Sequence, residues 1–279
     1  MRIRHAAWAD QFYPGTPEEL RATISSYLQV EKHAFAARII GIISPHAGYA
    51  YSGRTAAVAY RQIEGESYET VVLLAPSHGA YIEGVSAYHG DYYETPLGDV
   101  PVDVAAVQRL AAAAGNVHVG QKGHESQTDR AEHSLEVQLP FLQIVLDDFS
   151  IVPLVFHDYS WDNCQRLGDA IASTFAAATT LLVASSDLYH GQSYEECRRM
   201  DEATLASVEN DSPEQFCRNA ARQAVMACGA GPITVLKRVA EEWGASQPRV
   251  LARTNSADVT GVQRGYVVGY AAAVSVMLK

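Results

Sequence analysis

Three short apolar runs, each followed at once by a turn carrying histidine, constrain this chain more than any other feature. Residues 38–44 (RIIGIIS), 70–75 (TVVLLA) and 180–185 (TLLVAS) are apolar on both faces. Strands read this way when helices cover both sides of a parallel sheet. A fourth run, 150–156 (SIVPLVF), is expected nearer a sheet edge, because Pro153 has no N–H to offer a ladder. Weaker strand signals occur at 85–88, 249–255 and 266–276.

Helical patterns lie between them, at 52–62, 102–114, 134–146, 161–178, 194–209, 213–224 and 232–243. In the third, Leu135, Leu139, Leu142 and Leu146 keep helical spacing, and Pro140 must either kink the helix or occupy a first turn. Strands alternating with helices imply βαβ crossovers. The expected fold is one α/β domain over residues 1–279, with a mainly parallel central sheet and helices on both faces. There is no linker-like stretch and no internal repeat.

Charge and composition remove several classes of function. Lys and Arg number 21 against 32 Asp and Glu, a net charge of −11 with no basic run, so nucleic acid and anionic membranes are not expected partners. The longest apolar stretch, 266–278, is broken by Gly269 and Ser275 and falls short of the roughly 20 residues that span a bilayer. The N-terminus lacks the apolar core of a secretory signal. Cys164, Cys197, Cys217 and Cys228 are far apart and form no CxxC, which suits free thiols in a reducing, cytoplasmic setting.

Ligands of open parallel sheets bind beyond the carboxyl ends of the strands. There the chain places Pro45-His46-Ala47-Gly48-Tyr49, Pro76-Ser77-His78-Gly79 and Ser186-Asp187-Leu188-Tyr189-His190-Gly191. One such histidine could be an ordinary core or surface residue; three at equivalent positions converge on one crevice. His46 and His78 form the best pair of metal ligands, and neutral imidazoles suit Fe, Zn or Cu equally. Cys228, just before a helical pattern, is either a thiolate ligand or a small buried hydrophobe. Cys164, Cys197 and Cys217 lie within helical patterns and read as inert core thiols.

Other positions admit two readings. His133 and Glu136, three apart on one helical face, are either an acid/base or supporting pair or a helix start with an acidic first turn. Asp187 either orients His190, a candidate proton shuttle, or caps its own turn. His5 and Trp8 either line a pocket or pin the terminus. His33, His89, His118, His124 and His157 have no motif around them and read as solvated or structural. The chain has no GxGxxG after a strand, no GxxxxGK[ST], no GxSxG and no HExxH, so nucleotide cradles, the hydrolase elbow and the zinc-protease helix have no anchor.

Taken in order, the motifs resemble the Memo family. They begin with Arg4-His5-Ala6-Ala7-Trp8 and Phe12-Tyr13-Pro14, then Pro45-His46-Ala47-Gly48-Tyr49, Tyr51-Ser52-Gly53 and Pro76-Ser77-His78. Tyr93-Glu94-Thr95-Pro96-Leu97-Gly98, Glu132-His133-Ser134-Leu135-Glu136-Val137-Gln138-Leu139-Pro140, Ser185-Ser186-Asp187-Leu188-Tyr189-His190 and Cys228-Gly229 continue it across nearly the whole chain. Prokaryotic members look like the B component of the AmmeMemoRadiSam system, which implies radical-SAM and AMMECR-type companion proteins. The family fold resembles the class III extradiol ring-cleavage dioxygenases, whose non-haem Fe(II) sits at the ends of a parallel sheet.

The resemblance makes His46, His78 and Cys228 the metal ligands. It puts Asp187 and His190 in the pocket, with His133 and Glu136 close by. His190 is then the expected acid/base, oriented or supported by Asp187, and His133 would help a bound oxygen species or substrate anion. Fe(II) is the expected metal, with copper or zinc as alternatives. Cys228 departs from the dioxygenase pattern, standing where those enzymes supply a carboxylate; a thiolate is softer and itself oxidisable. The expected function is therefore a metal-dependent, redox-active protein with an unidentified substrate. The alternative is a binding module that captures an aromatic or phosphorylated peptide or a partner protein, with Trp8, Tyr49, Tyr51 and Tyr189 at its mouth. A zinc hydrolase is the third reading.

Overall fold

Residues 1–35, 37–125 and 131–278 are described by the computed structural model. The N-terminal half contains β1 (Ile3–Arg4), α1 (Pro17–Tyr27), β2 (Ile39–Ser44), α2 (Tyr49–Ile63), β3 (Thr70–Pro76) and β4 (Val85–Tyr88). It continues through β5 (Tyr92–Thr95), β6 (Gly98–Pro101), α3 (Val104–Ala114) and β7 (Val117–Gly120). Next come α4 (His133–Glu136), α5 (Leu139–Val145), β8 (Ser150–Phe156), α6 (Trp161–Thr174), β9 (Thr180–Ser185) and β10 (His190–Gly191). The chain closes with α7 (Tyr194–Asn210), α8 (Pro213–Ala221), α9 (Ala230–Glu242), β11 (Arg249–Asn255), α10 (Ser256–Thr260) and β12 (Val267–Val276).

The large sheet runs β10-β12-β2-β9-β3-β8-β4-β7, with β11 also on β12. Its centre, β2-β9-β3-β8, is parallel and buried along almost every residue, as the apolar runs require. Antiparallel pairings flank that centre, β12 on β2 and β4 on β8. One helical layer contains α3, α6 and α9, with α9 against β2, β3 and β9; the other contains α1, α2 and α5. A smaller sheet, β1-β5-β6, sets the N-terminal strand beside the β5–β6 hairpin and so brings Arg4 into the interior.

Two expectations change. β8 is interior, between β3 and β4, despite Pro153. On the β4 side the ladder covers only Leu154–Phe156, and the next contact is the Val102 bridge at Ile151. The Ile151 carbonyl accepts from Asp103 N on that side, so by two-residue alternation the missing N–H of Pro153 faces the gap between them. The 134–146 pattern is two helices, because Pro140 belongs to the first turn of α5 and cannot continue α4.

The periodicity reading missed α1. Its signature is local: Thr16 is the N-cap, accepting from Glu19 N at 3.4 Å, and Pro17 begins the helix.

Candidate metal centre

The carboxyl ends of β2, β9 and β3 lie side by side, and the turns beyond them carry His46, Asp187 and His78. Cys228 arrives from the segment before α9. Its N–H donates to the Asp187 carbonyl at 3.2 Å, and the Asp187 N–H donates to Cys228 Sγ at 3.2 Å. This close approach depends on Gly229. A Cβ there would fall 2.3 Å from the Ser185 carbonyl and 2.5 Å from Ser186 Cβ, so any side chain would lift Cys228 off the strand end.

The ligand atoms of His46, His78 and Cys228 all lie within 4.8 Å of one another, and His46 Nε2 is 3.1 Å from Cys228 Sγ. Their partners determine which nitrogen is bare. Ser185 Oγ donates its one hydrogen to the Ser134 carbonyl at 2.6 Å, so at 2.9 Å it must accept from His46 Nδ1–H. Glu132 Oε1 accepts from His78 Nδ1–H at 2.8 Å and lies 3.2 Å from His133 Nδ1. The Leu188 carbonyl accepts from His190 Nδ1–H at 2.9 Å. With Nδ1 occupied, each neutral ring presents Nε2 as a free lone pair, the state in which imidazole binds a metal.

Electrostatics follow from burial and from Glu132. Burial, then repulsion from His78, pushes the His46 pKa well below the ordinary imidazole value. Burial likewise brings His133 down to about 4. For His78, burial opposes the charged form, but the hydrogen bond and charge of Glu132 outweigh it and the pKa rises. Burial would raise Glu132, yet His78 and its backbone N–H hold it down, to about 2. Burial and then the Asp187 charge push the Cys228 thiol well up, so a metal that takes this sulfur must displace its proton.

Glu132 organises the approach side. It caps α4, accepting from His133 N and Ser134 N at 3.0 Å each, and also accepts from His78 N at 2.6 Å. His78, Glu132 and His133 thus form a second group of closely spaced donors sharing His78 with the first. The His133 ring centroid lies 4.6 Å from that of His78 and 5.4 Å from that of His46, with Phe12 and Trp8 on its other sides at 4.7 and 5.5 Å.

Several expected site residues are elsewhere. Glu136 is fully buried but faces the N-terminal arm, because the buried Arg4 guanidinium requires a counter-charge. Tyr49 is enclosed against Tyr13 and Phe141 and donates to the Val137 carbonyl. Tyr189 precedes the strand residue His190, and extended neighbours point to opposite sides. Its ring is buried beside Cys197 and Val267, with its hydroxyl on Glu196. His5 is largely exposed and bonds Glu94. Tyr51 is exposed.

Asp187 makes no hydrogen bond to His190 among the described residues; its carboxylate accepts from the backbone of His46 at 2.8 Å and of Ala47. It therefore fixes the β2 turn rather than the His190 ring. Trp8 packs edge-on against His133 and anchors the arm by donating to the Ala131 carbonyl at 2.9 Å.

Sequence reasoning passed over Glu132, Ser185 and Phe12. Glu132 stood in plain view as an acid immediately before a helix beginning with histidine, but its reach across to His78 spans separate elements and leaves no local spacing. Ser185 looked like a strand terminus and nothing more.

Among the described residues, no helix is long and apolar enough to cross a membrane. Residues 4–274 match the family model described as Memo-like protein. The chain is 38% identical over 285 residues to a "MEMO1 family protein" of Aeropyrum pernix, covering 98% of this chain and 99% of that one. A protein of the same description from Nitrosopumilus maritimus is 34% identical over 279 residues, with 97% and 98% covered. Another from Aquifex aeolicus is 34% identical over 263 residues, with 94% and 95% covered. The family model and the full-length similarity agree with the order of the motifs: the chain belongs to the Memo family.

Proposed function

We propose that this chain is a metal-binding protein in which His46, His78 and Cys228 hold a redox-active ion, Fe(II) with copper as the alternative. In this reading the protein acts as an oxidoreductase on an unidentified small substrate. One observation carries the proposal: three donor atoms from three separate elements lie within 4.8 Å, each held by partners of its own. Two imidazole nitrogens and one sulfur suit iron or copper, whereas a site for magnesium or calcium would be built from oxygen.

A metal bound there would supply open coordination positions for dioxygen or an anionic substrate group. The protein's own contributions are positional and protonic. Ser185 and Glu132 accept from Nδ1–H of His46 and His78, so that each ring in its neutral form turns Nε2 toward the site. Asp187 holds the His46 turn in place. His190, its ring fixed by the Leu188 carbonyl, has Nε2 available to take or return a proton. Trp8 and Phe12 wall off His133, so a substrate entering beside it meets an aromatic surface.

Anaerobic metal analysis of the untagged protein, beside His46→Ala and Cys228→Ser, tests this directly. Near-stoichiometric iron or copper in the parent, lost in both variants, is the expected result and would justify screening catechols for O₂ consumption. A parent that takes up neither metal after Fe(II) or Cu(I) is supplied would overturn it. The pocket would then be a capture site for a peptide or partner protein, with no turnover.

A further inference from the structure

A second pair of cysteines lies behind the segment that carries Cys228. Helices α6 and α8 meet there, beside the start of α9. Cys217 Sγ, on α8, donates to the Tyr159 carbonyl at 3.2 Å; Cys164 Sγ, on α6, lies 4.0 Å from the Gly231 carbonyl. The Tyr159 ring rests on Gly231, where a Cβ would come within 2.5 Å of it. Both thiols therefore sit where α6 and α8 meet the start of α9, against residues that touch one another, and each shifts the titration of the other.

This junction is not sealed. A cleft of about 490 Å³, lined by Cys217 with Tyr159, Met226, Ala227, Ala230 and Thr234, opens onto the α8 side. That volume lies within the roughly 300–1,000 Å³ of small-molecule sites. Cys164 is fully buried and Cys217 nearly so. Their proximity also makes them unequal: the hydrogen bond from Cys164 draws the Cys217 pKa down, while Cys164 is raised, first by the same bond and then by burial. The inert-thiol reading accounts for burial. It does not account for two thiols set together at the wall of a cleft.

We propose that Cys164 and Cys217 form a redox-active dithiol that exchanges with a low-molecular-weight disulfide, such as glutathione disulfide, entering this cleft. The Cys217 thiolate attacks one sulfur of the incoming disulfide; that S–S bond breaks and the first small thiol leaves. Cys164 then gives up its proton, and its sulfur attacks Cys217 in the mixed disulfide, releasing the second small thiol. The protein loses two electrons and two protons and gains one disulfide, while the small disulfide is reduced to two thiols. The pair adjoins the candidate metal centre, since the Tyr159 hydroxyl donates to the Cys228 carbonyl at 2.8 Å.

The test treats reduced, folded protein with glutathione disulfide under anaerobic conditions. Unreduced peptides are then mapped by mass spectrometry, with circular dichroism confirming that each variant is folded. The expected product is a Cys164–Cys217 cross-link. Cys164→Ser removes the resolving sulfur and should trap glutathione on Cys217, and Cys164→Ala should do the same. Cys217→Ser should leave Cys164 unmodified. Folded protein in which both thiols stay free while urea-unfolded protein reacts would overturn the proposal. So would adducts confined to Cys197 or Cys228.

Discussion

Two buried polar clusters lie a few residues apart and use their hydrogen-bonding capacity in opposite ways. Around Arg4 and Glu136, the valences are consumed internally. Arg4 donates to the carbonyls of His124, His5 and Glu132 and pairs with Glu136. Glu136 also accepts from Ala7 N, Trp8 N and the Tyr13 hydroxyl. Around His46, His78 and Cys228, the outer atoms are tied down and the inner ones are left bare. Nε2 of His78 and of His133 makes no hydrogen bond among the described residues, and His46 Nε2 meets only the Cys228 sulfur. A saturated cluster stabilises the fold; one left unsaturated on its inner side is prepared for something else.

The two are joined through one residue. Arg4 grips the Glu132 carbonyl at 2.9 Å, and the Glu132 side chain aligns His78 and His133. The N-terminal arm thereby fixes the backbone of the group that aligns two imidazoles. This is a positional coupling, legible in the hydrogen bonds themselves.

The comparison can be broken most directly at Glu136. Glu136→Ala leaves the Arg4 guanidinium buried and unpaired, which should cost roughly 3–5 kcal/mol. A urea midpoint equal to the parent's would show that the saturated cluster carries no stability. His46→Ala should do the reverse: metal occupancy is lost, while stability falls only by the roughly 0.5–3 kcal/mol of an ordinary core substitution. Full metal content in that variant, measured by elemental analysis, would remove His46 from the ligand set.

Glu132→Gln sharpens the boundary between the clusters. It keeps the size of the side chain but removes the charge, and should weaken metal binding by roughly 10–100-fold, as loss of a partner to a ligating histidine does. Competition with a chelator of known affinity reads this out; unchanged affinity would make Glu132 a helix cap only.

The smallest effect is one of pH, and each cluster contributes a buried imidazole to it. Burial holds His124 and His133 neutral, each with its pKa down to about 4. In the unfolded chain both take up protons near the ordinary value of about 6.5. The unfolded state then binds more protons, so these two imidazoles make the stability of the metal-free protein fall as pH drops from about 6.5 toward 4. Between pH 7 and 6 the loss should stay under about 1 kcal/mol for each imidazole. His133→Asn should make that slope shallower in urea titrations, and an unchanged slope would mean that His133 is already charged.

Much of this architecture was written locally. The apolar runs of β2, β3 and β9 identified the buried parallel centre, and the turns after them identified His46, His78, Asp187 and His190 as neighbours in space. Cys228 stood out through its place just before a helical pattern and through the family resemblance. What was not legible was direction. Glu136 and Tyr189 lie close in sequence to His133 and His190, yet the first is drawn to Arg4 and the second is turned away by strand alternation.

By itself, then, the sequence determined which strands would be buried and which residue types would stand at their ends. Hydrophobic periodicity and turn chemistry act over a few neighbouring residues and survive without a partner. Only the tertiary structure decided that Glu132 would serve two histidines, that Pro153 would fall in a gap of the ladder, and that Cys164 would meet Cys217. These are pairings between groups far apart along the chain. A carboxylate, a missing N–H or a thiol carries no mark of its partner until folding removes water and leaves that partner as the only one within reach.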